Sequence, residues 1–180
     1  MTTSEGYNFD LKAWIHPELY TAASSVDGTG LHTRSKLPQG TVLIRFGGRL
    51  LSADLRYDDS VLPGTAVGVS ESTVLAEPMG STRDPSDFIN HSCDPNLGML
   101  DAISIHTVKD VAPGSELYCD YAYWETSASY VMKRRCRCQA IQCRGTITGL
   151  DWQLADRRVE MLQHASPFIR RRILAMVESE

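Results

Sequence analysis

The side chains best equipped for chemistry in this chain sit in a few short runs. Cys136-x-Cys138-x4-Cys143 puts three thiols on a tight loop. Zinc in a structural site takes four ligands in a tetrahedron, so this spacing asks for a fourth donor from elsewhere in the fold. Asn90-His91-Ser92-Cys93-Asp94-Pro95-Asn96 is a run of small polar residues closed by a proline, which is turn chemistry. Strand-like apolar residues flank it, Phe88-Ile89 before and 97–100 after, so it reads as a functional loop held on a rigid sheet. Glu116-Leu117-Tyr118-Cys119-Asp120-Tyr121 follows as a second mixed polar run. Gly28-Thr29-Gly30 has no third glycine or following helix, so it is no phosphate-binding loop.

Each run has a plainer reading. The cysteines can be metal-free thiols. Asn90 can cap a turn, and His91 can be a hydrogen-bonded core histidine. Tyr121 can be a sheet aromatic beside Tyr118, Tyr123 and Trp124. Arg134, Arg135, Arg137 and Arg144 can form a nucleic-acid patch, offset the charge of a thiolate site, or stay solvated.

At 180 residues the chain fits one domain with a small appendage. Hydrophobic content of 42% and charged content of 22% are those of a folded protein. A net charge of −4 and a pI near 5.7 argue against duplex binding and fit a basic partner, such as a lysine-rich peptide. The sequence has no apolar run of the roughly 18 residues a membrane span needs. Residues 1–10 lack a charged-then-apolar leader. The expectation is a cytoplasmic protein, or a nuclear one if its source has a nucleus, with no direct nucleic-acid or membrane partner. Five cysteines, an odd number, favour metal or thiol chemistry in a reducing compartment over disulfides.

Stepping along the chain, residues 1–21 read as an arm carrying Trp14 and His16-Pro17. Short strands separated by turns follow from Ala22, the clearest at 41–46, with others at 31–33, 67–69 and 73–76. Residues 36–40 and 109–115 contain similar proline-and-glycine turns. Residues 52–64 are a charged surface insert with room for one helical turn. Residues 97–100 and 102–108 predict a hairpin turning near Asp101, with Ile103, Ile105 and Thr107 on one face. At the end, Asp151 can cap a helix to about His164, with Trp152, Ala155, Val159 and Leu162 at helical spacing. Ser166-Pro167 then starts a second helix to about Val177. The class is mostly β with short C-terminal helices.

The Asn-His-Ser-Cys-x-Pro-Asn run at 90–96, followed by Glu-Leu-x-x-Asp-Tyr at 116–121, resembles the signature pair of SET-domain protein lysine methyltransferases. The Cys-x-Cys-x4-Cys run resembles their post-SET segment. The likeness covers about residues 22–149. It implies an arm at 1–21, a SET domain at 22–126, a post-SET zinc segment at 127–149 and C-terminal helices at 150–180. It implies several small curled sheets and a pseudoknot, in which the 90–96 segment threads a loop closed near 116–121. Cys93 becomes the fourth zinc ligand beside Cys136, Cys138 and Cys143. Gly28, Thr29, Gly30, Asn90 and His91 hold S-adenosyl-L-methionine, Tyr121 is catalytic, and Phe46 and Cys119 line the lysine channel.

The likeness is to compact bacterial and fungal members, and the sequence departs from the family in places. Cys119 stands where the family has tyrosine or phenylalanine, which leaves room for di- or trimethylation. In the 43–50 stretch Phe46 cannot hydrogen-bond the amine. Asp87 stands where eukaryotic members often carry arginine. Residues 1–21 contain no cysteine, so no cysteine-rich pre-SET segment is expected there. The expected activity is methyl transfer to lysine in a histone, ribosomal or other basic protein. One alternative is a catalytically inactive SET-like, zinc-stabilised interaction module; Cys119 and Phe46 favour it, Tyr121 and Asn90-His91 oppose it. A zinc-dependent thiol sensor is another, and it gives no reason for Glu-Leu-x-x-Asp-Tyr.

Overall fold

The structure, a computed structural model, describes residues 10–125 and 127–179, so the stretch inspected for a leader lies outside the described residues except for Asp10. Three four-stranded sheets form its frame. The first has the order β1 (Asp10–Leu11), β6 (Gly48–Ser52), β8 (Thr73–Ala76), β7 (Val67–Gly68). The second has β10 (Leu97–Met99), β11 (Ser104–Thr107), β5 (Val42–Arg45), β2 (Trp14–Ile15). Leu43 and Ile44 are neighbours in β5 and both are fully buried, because the strand is covered on both faces. The hairpin expected around Asp101 is present. Its carboxylate accepts the Ile103 and Ser104 N–H groups at 2.9 and 2.8 Å, which closes the turn.

The third sheet positions the site. Its order is β3 (Leu19–Ala23), β4 (Thr29–Thr33), β12 (Glu116–Cys119), β9 (Asn90–His91). β12 runs antiparallel to β4 and parallel to β9, with Tyr118 opposite Asn90 and Cys119 opposite His91. A parallel pair needs a crossover connection, and here the β10–β11 hairpin supplies it. Asn96 fastens the crossing: its amide donates to the Glu116 carbonyl at 2.9 Å and accepts the Tyr118 N–H at 2.8 Å. The two sequence motifs are therefore paired to each other, as the threaded arrangement requires.

Elsewhere the structure departs from the sequence reading. From Asp10 on, the expected arm is woven in, with β1, β2 and β3 each joined to a different sheet. The expected domain start at Ala22 falls inside β3. The insert holds a 3-10 turn at Ala53–Tyr57 as foreseen, but its Arg56 is buried. Asp151 does not open a helix. Its carboxylate accepts the Thr148 N–H and hydroxyl and meets Arg144, and it begins only a short 3-10 turn, Asp151–Gln153, with a second at Ala155–Arg157. The first α-helix, α1, begins only at Arg158 (Arg158–His164). Val159, expected inward, is 72% exposed, while Met161 is buried. The second helix, α2 (Pro167–Glu178), starts on its proline as predicted.

Met161, Phe168, Ile169 and Ile173 belong to the same buried cluster as Leu31, Leu97, Met99, Ile105 and Leu117. The C-terminal helices thus share the core of the sheets. Phe168 is 1% exposed, so Phe168→Ala is expected to cost about 3–5 kcal/mol in denaturant titration. The loss should fall in one cooperative transition; separate early melting of the C-terminal segment would contradict a shared core.

A 3-10 turn at Pro85–Phe88 leads into β9 and is opened by a capping box, in which the Asp84 N–H donates to Asp87 at 3.1 Å. Burial, reinforced by the Asp84 charge, raises the Asp87 pKa from 3.8 to about 6. The raised value means that folding favours the protonated carboxyl. Its contribution to stability is present below 3.8 and is lost as pH rises through about 6. Asn keeps the acceptor for Asp84 and removes the charge. Asp87→Asn should therefore raise Tm at pH 7, on the order of 2–4 °C for each kcal/mol gained. Near pH 4 the difference should vanish, and an equal difference at both pH values would contradict this account.

Candidate active site

The four sulfurs of Cys93, Cys136, Cys138 and Cys143 lie within 4.8 Å of one another. Tetrahedral zinc with bonds of about 2.3 Å spaces its sulfurs roughly 3.8 Å apart, so this donor set fits the ion in number, chemistry and reach. N–H groups already point at two of the sulfurs, Cys93 N at Cys138 and Arg144 N at Cys93, each at 3.4 Å. Burial pushes the Cys93 thiol up to about 11. Cys138 is held down to about 7, where N–H groups of Cys93 and Ala140 outweigh burial. A bound dication deprotonates coordinating thiols outright, so it would override the difference.

Beneath this knot lies Asp120, fully buried. Its carboxylate takes Arg144 Nη2 at 2.7 Å, Arg157 Nη2 at 3.3 Å and the Ala122 N–H at 3.0 Å. Arg144 comes from the cysteine segment and also meets Asp151 at 3.1 Å. The arginines around the cysteines are therefore not alike. Arg144 is a largely covered structural cation, whereas Arg134 and Arg137 are exposed and both pair with Asp27, at 2.8 and 2.9 Å. Arg144 is not solvated; its charge faces Asp120 first and also favours the Cys93 thiolate, as one of the expected alternatives had it.

His91 is neutral at physiological pH: burial lowers its pKa to about 4, only partly opposed by Asp120. Its Nδ1 accepts the Tyr121 N–H at 3.2 Å. The proton then belongs on Nε2, which faces the Cys93 sulfur at 3.3 Å. One ring thus ties the backbone of Tyr121 to a cysteine of the knot.

Glu116 performs the same office on the other side. Its carboxylate receives the Ser24 hydroxyl at 2.7 Å, the Asn90 amide at 3.0 Å, the Tyr118 hydroxyl at 2.9 Å and the Ser25 N–H at 3.2 Å. Burial raises its pKa, but these hydrogen bonds prevail and hold it below the usual carboxylate value. The Asn90 amide also donates to the Asp27 and Thr29 carbonyls, each at 3.1 Å. Gly30 must be glycine because a Cβ there would stand 2.1 Å from Glu116 Oε1.

Two cavities adjoin Tyr121. The smaller, ≈ 270 Å³, is walled by Val26, Asp27, Asn90, His91 and residues 132–137. The larger, ≈ 670 Å³, is walled by Phe46, Trp124, Tyr57, Tyr130 and carboxylates including Asp58, Asp59 and Asp87. Tyr121 and Lys133 contribute to both. The Tyr121 hydroxyl donates to the Ile89 carbonyl at 2.9 Å, and burial drives its pKa well above the ordinary phenol value. It is a fixed hydroxyl, not a phenolate.

Of the residues singled out in the sequence, Asn90, His91 and Cys136 line the smaller cavity and Phe46 the larger. Gly28, Thr29 and Gly30 stand outside both linings; of the three, Thr29 meets Asn90, through its carbonyl. Cys119 is likewise placed differently from expectation. It is fully buried, its thiol faces the Leu97 carbonyl at 3.6 Å, and it is absent from both linings. Period-two alternation in β12 puts it on the core face with Leu117. Asp120, Glu116 and Trp124 were named in the sequence reading without a role, and Arg157 escaped it. The first two sit inside the motif and were legible there as conspicuous acids; Arg157 carries no sequence signal.

Comparison with known proteins bears on the whole arrangement. The family model of the SET domain matches residues 28–122, more than half of the chain. An H3 lysine-9 specific histone-lysine N-methyltransferase of Schizosaccharomyces pombe is 27% identical over 155 residues, covering 68% of this chain and 31% of that protein. Histone-lysine N-methyltransferase Su(var)3-9 of Drosophila pseudoobscura pseudoobscura is 28% identical, covering 72% of this chain and 24% of that protein. The chain thus spans about a third or less of these relatives. The crystal structure of KRYPTONITE in complex with mCHG DNA and SAH superposes with a TM-score of 0.55 at 23% identity, covering 71% of this chain and 28% of that one. It shares the fold of several small sheets. With both motifs paired in one sheet and a family match running from the Gly28 turn to just past Tyr121, the chain belongs to the SET-domain family.

Proposed function

We propose that this chain transfers methyl groups from S-adenosyl-L-methionine to the side-chain amine of lysine in a protein substrate. The observation that carries the reading is the position of Tyr121 in the walls of two separate cavities. A donor seated in one and an amine entering from the other meet at its hydroxyl. An interaction module without catalysis has no need of that meeting point.

The smaller cavity takes the cofactor, held by Asn90 and His91, with Val26 and Asp27 before the Gly28-Thr29-Gly30 turn in its wall. When bound, S-adenosyl-L-methionine supplies a methyl carbon on a positively charged sulfur. Bound there, it would offer that methyl to a neutral lysine amine presented from the larger cavity, with the sulfur departing as the neutral thioether and the amine's extra proton passing to solvent. The chain's part is alignment and exclusion of water rather than strong base catalysis. The Tyr121 hydroxyl is held by Ile89, which leaves its oxygen lone pairs for the electron-poor methyl. Phe46, Trp124 and Tyr121 form an aromatic row, with centroids 6.0 and 5.8 Å apart, that desolvates the amine and favours its neutral form. Cys93, Cys136, Cys138 and Cys143 would hold zinc in a structural role, tying Cys136 in the wall of the smaller cavity to Cys93.

The carboxylates of the larger cavity suit a basic protein, and histones, on which the named relatives act, are the first class to test. Phe46 offers the amine no hydrogen bond, so methylation is expected to continue past the first methyl. The test supplies zinc-loaded protein with isotope-labelled S-adenosyl-L-methionine and a mixture of core histones and ribosomal proteins, and reads products by mass spectrometry. Di- or trimethyl-lysine should appear. Tyr121→Phe should lower kcat by about 10² or more while leaving S-adenosylhomocysteine affinity within about twofold. Full activity in that variant would remove Tyr121 from the mechanism.

A further inference from the structure

Arg157 lies in the C-terminal segment, beyond the residues that match the family. It is only 5% exposed, and its Nη2 is shared among three acceptors: the Cys93 carbonyl at 3.1 Å, Asp120 at 3.3 Å and Glu160 at 2.9 Å. The Tyr123 hydroxyl braces Glu160 from the other side at 2.6 Å. Docking of the C-terminal helices does not call for this arginine, since Met161, Phe168, Ile169 and Ile173 already bury an apolar face. A buried guanidinium is costly unless its partners need it. Besides Glu160, its partners are the backbone of a cysteine in the metal cluster and the carboxylate preceding Tyr121.

We infer that Arg157 is a positioning residue, through which the C-terminal segment holds Cys93 and Asp120 in the geometry that zinc and cofactor require. The inference rests on the zinc and cofactor reading above. Arg144 grips Asp120 from the cysteine segment at 2.7 Å, and Arg157 completes the grip from the opposite end of the chain. Losing it frees the Cys93 carbonyl and one side of Asp120, and with them the backbone that carries Tyr121. Outer partners of this kind, when removed, commonly cost 10–100-fold in metal affinity or activity.

The experiment uses the full-length zinc-loaded chain. Arg157→Met leaves Glu160 uncompensated and is open to misfolding, so Arg157→Met/Glu160→Gln, which removes both charges, is measured beside it. Arg157→Lys tests rescue, and Ile169→Val loosens the same helices without touching the network. Three quantities are read: Tm, the rate of zinc loss to excess 4-(2-pyridylazo)resorcinol, and calorimetric affinity for S-adenosylhomocysteine. The double variant should lose zinc at least about tenfold faster and bind S-adenosylhomocysteine about tenfold more weakly, with Lys intermediate. Ile169→Val should lower Tm without either change. A folded double variant within about twofold of the parent in both readouts, or an Ile169→Val variant that reproduces its losses, would overturn the inference while leaving the proposed function standing. A parent chain that holds no zinc would overturn the inference and the zinc site it rests on, whereas methyl transfer stands or falls by its own product assay.

Discussion

A single buried carboxylate, Asp120, carries the rest of the structure's site. It sits between the cysteine segment and the C-terminal helices, taking an arginine from each, and its own residue precedes Tyr121 in the chain. Removing one partner from such a buried cluster generally costs about 3–5 kcal/mol, because the remaining charge is left uncompensated. The charges therefore act as a registry device. Only when the knot, the sheet and the helices are all in place does every member find its partner, and only then is the Tyr121 hydroxyl between the two cavities.

The division of labour within the motifs follows from this constraint. Asn96 spends its side chain on the backbone of β12 and locks the crossing. Asn90 spends one amide on two carbonyls and Glu116, so the glycine turn is drawn against the cavity wall without lining it. His91 uses one ring nitrogen on the Tyr121 backbone and the other on Cys93. These are mostly backbone-directed hydrogen bonds in a region with little helix and short strands. Polar side chains there satisfy groups that regular ladders would satisfy elsewhere.

Much of this was legible in the sequence, for reasons that differ by element. The hairpin at Asp101 and the start of α2 at Pro167 were readable because local chemistry decides them. The cysteine cluster was readable from spacing, and Cys93 from family likeness. What escaped was set by tertiary partners. Asp151 looks like a helix cap, yet Arg144 and Thr148 claim its carboxylate. Val159 has helical spacing, but α1 starts late and turns it outward. Cys119 looked like part of the channel, while strand alternation directs it to the core. Arg157 has no local pattern at all; its role exists only where three distant segments converge.

The central claim is that donor and acceptor approach Tyr121 from opposite sides, and it is tested most directly by a crystal structure of the zinc-loaded chain with S-adenosylhomocysteine. The account predicts the ligand in the smaller cavity, against Asn90 and His91, with its sulfur turned toward the Tyr121 hydroxyl and the larger cavity left open. S-adenosylhomocysteine seated in the larger cavity, or bound away from Tyr121, would contradict it.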